Sequence, residues 1–270
     1  MKEIYQRTVS LVGEEAQLRL LSSKVIIFGI GGVGGHLCEA LARAGVGHLT
    51  LVDNDTVSES NINRQIFALH STVGMKKTDA AKARILDINP DIEVICRNEF
   101  FLPENADSFD FSEYDYIADC IDTVSGKIEL AVQADKAGTR IISAMGAANK
   151  LCASAFEVSD IYKTSVCPLA RVMRTTLKKN GVRKLKVVYS KEEARVPLAD
   201  ELDRNGRRVP ASISYVPATE GLIMAQEIIR DILDIGSFYN EQAAVKNKGF
   251  SQPLLLLLFC CSYASQPASF

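Results

Sequence analysis

The sequence predicts an α/β protein: a doubly wound, Rossmann-like, mostly parallel sheet with an extended C-terminal part. Three observations carry that expectation. A glycine-rich turn separates two β-branched runs within Val25–Asp55, strand and helix patterns alternate regularly from Lys24 to Ser143, and no repeat or low-complexity linker divides the halves of the chain. With 270 residues, 47% of them hydrophobic, there is ample apolar material for a packed core.

The elements follow in order. Lys24–Gly29 is a short β-branched run ending at glycine, and Leu49–Asp53 is a second. Between them Leu37, Leu41 and Ala44 recur at helical spacing until Gly45 and Gly47 stop the helix. Such a βαβ unit implies a right-handed crossover in a parallel sheet. A helix from about Lys76 ends before Asn89–Asp91; Ile92–Cys96 and Tyr114–Cys120 read as strands, Lys127–Ala137 as a helix and Thr139–Ser143 as a strand. After Ser143 the rhythm changes. Ser154–Val158, Leu185–Tyr189 and Ser212–Val216 read as strands around a charged helix near Pro168–Lys179, and Thr219–Leu233 as a final amphipathic helix. One domain over residues 1–236 is expected. The remainder, 237–270, is compositionally foreign, and its apolar run Leu254–Cys261 falls short of the ~20 residues of a membrane helix. A flexible or partner-buried tail is expected there rather than a membrane anchor.

Composition narrows the function. The formal net charge of −2 gives no global attraction to nucleic acid or membrane, so such a partner must be met by a local patch. The start, MKEIYQRTVS, has no apolar signal-peptide region. Seven cysteines (Cys38, Cys96, Cys120, Cys152, Cys167, Cys260 and Cys261) occur without a C-x-x-C pair, which reads as reduced thiols in a cytoplasmic protein. With only His36, His48 and His70 to help, structural zinc is not expected.

Gly29, Gly31 and Gly34 form G-x-G-x-x-G after a strand and before a helix, with Gly32 in the same turn. Glycines there let backbone N–H groups approach phosphates at a helix N-terminus. Asp53, at the end of the next strand, is placed to accept hydrogen bonds from ribose hydroxyls. All of this suits NAD and ATP equally. The downstream residues separate them. Carboxylate attack on an α-phosphate builds charge on phosphate oxygens and departing pyrophosphate, which asks for Arg, Lys and Mg²⁺; hydride transfer does not. Arg64, Lys77 and Asp122 lie near the carboxyl ends of the expected strands, where ligands sit in open α/β sheets. Taken singly, Arg64 reads equally as a solvated loop cation and Asp122 as a helix N-cap. Together, in this order, they point to adenylation.

The series GIGGVGG, LVDND, SNINRQ, VGMKK, DINP and DCID resembles the ThiF/MoeB-like activating enzymes related to the ubiquitin-activating enzymes, from about Tyr5 to Ser143. The resemblance implies ATP as the nucleotide, with Asp53 on the ribose, Asn61, Arg64 and Lys77 on the phosphates, Gln65 and Asp55 in the nucleotide site, and Asp122 on Mg²⁺. It also implies a homodimer in which Arg7 of one chain enters the neighbour's site. Relatives that activate ubiquitin-like proteins usually carry zinc-binding C-x-x-C pairs, absent here. The stretch from Ser143 to Glu192 instead resembles the tRNA threonylcarbamoyladenosine dehydratase branch, which extends the resemblance to about Leu233. One departure is visible at KLCASAF, where that branch commonly has Asp-Pro and this chain has Ala153 and Ser154 nearby. The resemblance implies ATP-dependent dehydration of a modified adenosine in tRNA through an acyl-adenylate. Adenylation of a ubiquitin-like sulfur carrier, with a sulfur-relay protein as partner, is the alternative.

Two further features bear on the substrate. From Arg171 to Lys191 run Arg171, Arg174, Lys178, Lys179, Arg183, Lys184, Lys186 and Lys191 with no Asp or Glu, a patch suited to RNA phosphates or else a solvated face. Cys167 precedes a proline and a helix, a position that lowers a thiol pKa, yet the implied reaction needs no thioester.

Overall fold

The computed structural model describes residues 2–199, 202, 206 and 208–235; the expected tail 237–270 lies outside the described residues, and Met1–Leu233 forms one unit. Two short helices, α1 (Gln6–Val12) and α2 (Glu14–Ser22), precede the sheet. Then come β1 (Lys24–Phe28), α3 (Gly34–Ala44), β2 (His48–Val52), α4 (Lys77–Ile88), β3 (Glu93–Arg97), β4 (Tyr116–Asp119), α5 (Val124–Ala137) and β5 (Arg140–Ala144). The C-terminal part adds β6 (Phe156–Asp160), α6 (Pro168–Lys179), β7 (Lys186–Ser190) and α7 (Tyr215–Ile232).

All seven strands join one sheet in the order β3-β2-β1-β4-β5-β7-β6, parallel throughout except for the edge strand β6, which runs antiparallel to β7. The chain winds outward from β1 to β3 and returns to continue from β4 on the other side. The gap between the carboxyl ends of β1 and β4 is therefore the switch point where open sheets of this kind bind ligands.

The alternation of β1 explains the layers. Val25 and Ile27 face a core shared with Leu37 and Leu41 of α3 and Met224 and Ile228 of α7, whereas Ile26 and Phe28 face Phe101, Phe109, Phe111 and Leu130. The side chains of Val25, Ile26, Ile27 and Phe28 are fully buried, and of the five residues of β1 only Lys24 at its start is exposed, as expected of a strand covered on both faces. Truncating one of the isoleucines to alanine would cost about 2–5 kcal/mol. A third cluster, around Ile161, Met173, Leu177 and Val187, fastens α6 to the β7 end of the sheet.

Two segments depart from expectation. Ser212–Val216 is not a strand: the chain becomes helical at Tyr215, four residues before the expected start of the last helix. The alternating Ser-Ile-Ser-Tyr-Val pattern mimics a strand, but Pro217 lies in the first turn of α7, where its missing N–H leaves no hydrogen bond unmade. Before the first strand, α1 and α2 are held by a few residues rather than by a continuous apolar stripe. Tyr5 is buried and its hydroxyl accepts from Asn89 Nδ2 at 2.5 Å; Gln17 is buried and its Nε2 donates to Ala44 O at 3.0 Å. No described helix is long and apolar enough to cross a membrane.

Candidate active site

The site is assembled at the switch point. Gly29 closes β1 with φ +87°, and a Cβ there would lie 2.7 Å from Cys120 O and 3.0 Å from Ile121 N. Only glycine fits, because the turn runs directly against the backbone that leaves β4. Gly34 packs still more closely, a Cβ there falling 1.8 Å from the Gly29 carbonyl oxygen, so the first turn of α3 begins flush with the loop.

The segment after β2 lies over this loop. A Cβ on Gly32 would sit 3.5 Å from Arg64 Cγ, and one on Gly31 would sit 3.8 Å from Gln65 Nε2. Arg64 donates from one guanidinium nitrogen to Ser60 O at 3.1 Å and to Asn63 Oδ1 at 2.9 Å. Asn61 shapes the same turn by accepting the Ser58 N–H at 3.1 Å. His36, on the first turn of α3, lies against the Arg64 backbone, and its burial lowers the imidazole pKa.

Asp53 ties the loop to β2. Its Oδ2 accepts the Ile30 N–H at 2.7 Å and its Oδ1 the Asp55 N–H at 2.9 Å. Each carboxylate oxygen keeps a lone pair, so two ribose hydroxyls could still donate to it. Lys77, almost buried at the start of α4, pairs with Asp55 Oδ2 at 2.6 Å and reaches Asp53 Oδ1 at 4.0 Å. Its ammonium stands ready beside the rim, with Asp55 as its resident counter-ion.

Asp122, just after β4, is exposed and makes no hydrogen bond or ion pair among the described residues. A free carboxylate two residues after the backbone that walls the glycine turn is of the type Mg²⁺ takes, one or two at a time, completing its shell with phosphate oxygens and water. No cluster of three or more metal-ligating side chains occurs among the described residues.

The structure thus gathers Gly29, Gly31, Gly32, Gly34, Asp53, Asp55, Asn61, Arg64, Gln65, Lys77 and Asp122 around one rim. Arg7 is not among them. It is exposed on α1, just after Tyr5, whose ring abuts Gly45 at the far end of α3. Eleven residues of helix, about 16 Å, separate that end from the glycine turn.

The basic stretch divides. Arg171, Lys178, Lys179, Arg183 and Lys184 are exposed. Lys186 is instead committed to the fold, 2.7 Å from Asp231 Oδ2 and 3.2 Å from Glu227 Oε2. Arg174 is occupied too, donating to the Thr164 carbonyl at 3.0 Å and to the Thr164 hydroxyl. Cys167 is buried beneath the N-terminus of α6, where its Sγ donates to Met145 O at 3.1 Å.

Several contributors carried no sequence signal. Pro217 of α7 braces Gly32, a Cβ on which would lie 3.2 Å away, and Gly221 lets α7 approach the Val33 carbonyl. Lys127 and Glu220, both fully buried, lie under the rim. Only the spatial return of α5 and α7 to the switch point brings them there.

The chain is similar to several known proteins. The chain is 41% identical over 239 residues to the tRNA threonylcarbamoyladenosine dehydratase of Bacillus subtilis, covering 85% of this chain and 94% of that protein. It is 36% identical over 201 residues to the Escherichia coli protein of the same name, covering 72% and 75%. The solved structure of the E. coli tRNA N6-threonylcarbamoyladenosine dehydratase in complex with ATP matches with a TM-score of 0.78 at 30% identity, over 86% of this chain and 94% of that one. The E. coli MccB structure, at 20% identity and a TM-score of 0.61, shares the fold alone. The match to the ThiF family runs over residues 5–256, from before the first strand to beyond α7 and across every residue of the rim, and the chain therefore belongs to the ThiF family.

Proposed function

We propose that this protein is an ATP-dependent tRNA-modifying enzyme, a threonylcarbamoyladenosine dehydratase. The observation that carries the reading is the near full-length similarity to proteins of that name, one of them solved with ATP, in a chain whose switch point presents the glycine turn, Arg64, Lys77 and Asp122 on one rim.

The chemistry follows from the charges. The substrate's threonyl carboxylate attacks the α-phosphorus of ATP, a P–O bond forms, the bond to the β-phosphate bridge breaks, and pyrophosphate leaves. Arg64 and Lys77 are the donors assigned to the phosphate oxygens, where negative charge grows. Asp53 holds the ribose, with Asn61, Gln65 and Asp55 completing the nucleotide surface. Asp122 is the assigned ligand of Mg²⁺, which when bound supplies charge neutralisation at the phosphates. A nitrogen of the same substituent then attacks the activated carbonyl, loses its proton and expels AMP. That second step is intramolecular, so proximity stands in for an enzyme nucleophile, and the net change is loss of one water. The buried, hydrogen-bonded Cys167 is consistent with a route that uses no thioester.

Arg7 cannot readily serve its own glycine turn from the far end of α3, which supports a homodimer in which it completes the partner's site. The exposed cations Arg171, Lys178, Lys179, Arg183 and Lys184 are the proposed tRNA-facing surface. Incubation with ATP, Mg²⁺ and tRNA carrying threonylcarbamoyladenosine, followed by nucleoside mass analysis, tests the function. A product lighter by one water, with one AMP and one pyrophosphate per turnover, is expected; AMP and pyrophosphate without a change in the tRNA would refute it.

A further inference from the structure

A buried ion pair lies beneath the rim, outside the set assigned to the nucleotide. Asp119 ends β4 and Lys127 lies early in α5, and both side chains are 0% exposed. Lys127 Nζ is 3.0 Å from both carboxylate oxygens of Asp119 and donates to Ile121 O at 3.1 Å. Ser143 Oγ donates to Asp119 Oδ2. Lys127 thus donates to one carboxylate oxygen of Asp119 and to the Ile121 carbonyl, while the other carboxylate oxygen accepts from Ser143.

Stability alone does not explain it. Two charges taken out of water lose hydration that their attraction roughly repays, and well-packed apolar residues often do as well. What an apolar pair would not supply is the bond to the Ile121 carbonyl. Ile121 stands between Cys120, whose backbone walls the Gly29 turn, and Asp122. Backbone bonds hold the ends of this loop: Cys120 N–H donates to Phe28 O at 2.8 Å, and Thr123 O accepts the Lys127 N–H at 3.0 Å. Between those two points the Ile121 side chain packs against the Phe101 cluster, and the Lys127 ammonium is the polar tether on the loop's backbone.

We propose that Lys127 is a positioning residue: by gripping the Ile121 carbonyl it holds loop 120–122 so that the glycine turn and Asp122 present one rigid surface to the nucleotide. The proposal rests on the nucleotide reading of that rim.

The decisive variant is Asp119→Leu/Lys127→Met, which removes both charges at similar volume and avoids leaving a buried carboxylate unpaired. ATP affinity is measured by calorimetry without Mg²⁺, and thermal unfolding in parallel. The double variant takes the partner from the Ser143 hydroxyl and the Ile121 carbonyl, so it is expected to melt below the wild type while remaining folded, and to bind ATP about tenfold more weakly or worse, a loss of roughly 1.4 kcal/mol. Wild-type ATP affinity in the folded double variant would overturn the proposal whatever its melting temperature, because the pair would then contribute to stability alone. If the double variant does not fold, Lys127→Met and Lys127→Arg are compared below their melting temperatures. Weaker ATP binding by the Met variant supports the tether, since arginine can still donate to the carbonyl; equal binding overturns it. Asp122→Asn tests the underlying reading separately. Unchanged Mg²⁺-ATP binding in that variant, with weakened ATP binding in the double variant, would remove Asp122 from the nucleotide site while leaving the tether in place through Gly29.

Discussion

Replacing Glu220 with glutamine isolates a single buried proton. Glu220 is fully buried; its Oε1 accepts the Met145 N–H at 3.1 Å and its Oε2 has no partner. Burial pushes the carboxyl pKa up from 4.5 to about 7, against the downward pull of Lys127, the Met145 N–H and Lys150, and with a small upward push from Asp119. Between those two values the folded chain keeps a proton that the unfolded chain has released. The resulting stability is fully present below the unfolded pKa and is lost as pH rises through the folded one. The slope reaches about 1.4 kcal/mol per pH unit, and the total over the window is about 3 kcal/mol. Glutamine mimics the neutral acid and does not titrate. Its amide leaves one polar group without a partner, a cost of about 1–3 kcal/mol that is independent of pH. Urea unfolding of both proteins at intervals from about pH 5 to pH 8 measures the effect. The stability difference between wild type and Glu220→Gln should move by about 2.5 kcal/mol in favour of the variant as pH rises across that range. Parallel curves would show that Glu220 is ionised in the folded protein across this range.

Other outcomes test the rim and the surfaces. Gly29→Ala would force a Cβ to within 2.7 Å of Cys120 O at a φ of +87°, so ATP binding measured by calorimetry should be largely lost along with a few kcal/mol of stability; a well-folded variant with normal affinity would refute the close approach. Arg64→Ala and Lys77→Ala should each slow pyrophosphate release by about two to three orders of magnitude. Mixing Arg7→Ala with Lys77→Ala chains should recover some activity through hybrid sites once subunit exchange is demonstrated, whereas no recovery would place Arg7 outside the partner's site. Reversing the exposed Lys178, Lys179 and Lys184 to Glu should weaken tRNA binding and flatten its salt dependence while leaving ATP affinity unchanged. An unchanged salt slope would mark the patch as a solvated face.

Much of the fold was written locally. The runs Lys24–Phe28 and His48–Val52, the helix between them and the glycine turn depend on β-branching, on a 3.6-residue period and on a backbone conformation only glycine tolerates, all properties of neighbours in the chain. Asp53, Arg64, Lys77 and Asp122 were identifiable because short sequence spacings follow strand ends, where such a sheet places its ligands. Where local pattern and tertiary context disagreed, context won: Ser212–Val216 alternates like a strand, yet its end is drawn into α7, which packs against Gly32 and Val33. Only the folded chain decided that Lys186 serves Asp231 and Glu227 rather than solvent, since those partners are about forty residues away on another element. The same holds for Lys127, Glu220 and Arg7. Whether a charge is exposed, paired or buried depends on which distant segments return to cover it, and linear spacing carries no information about that return.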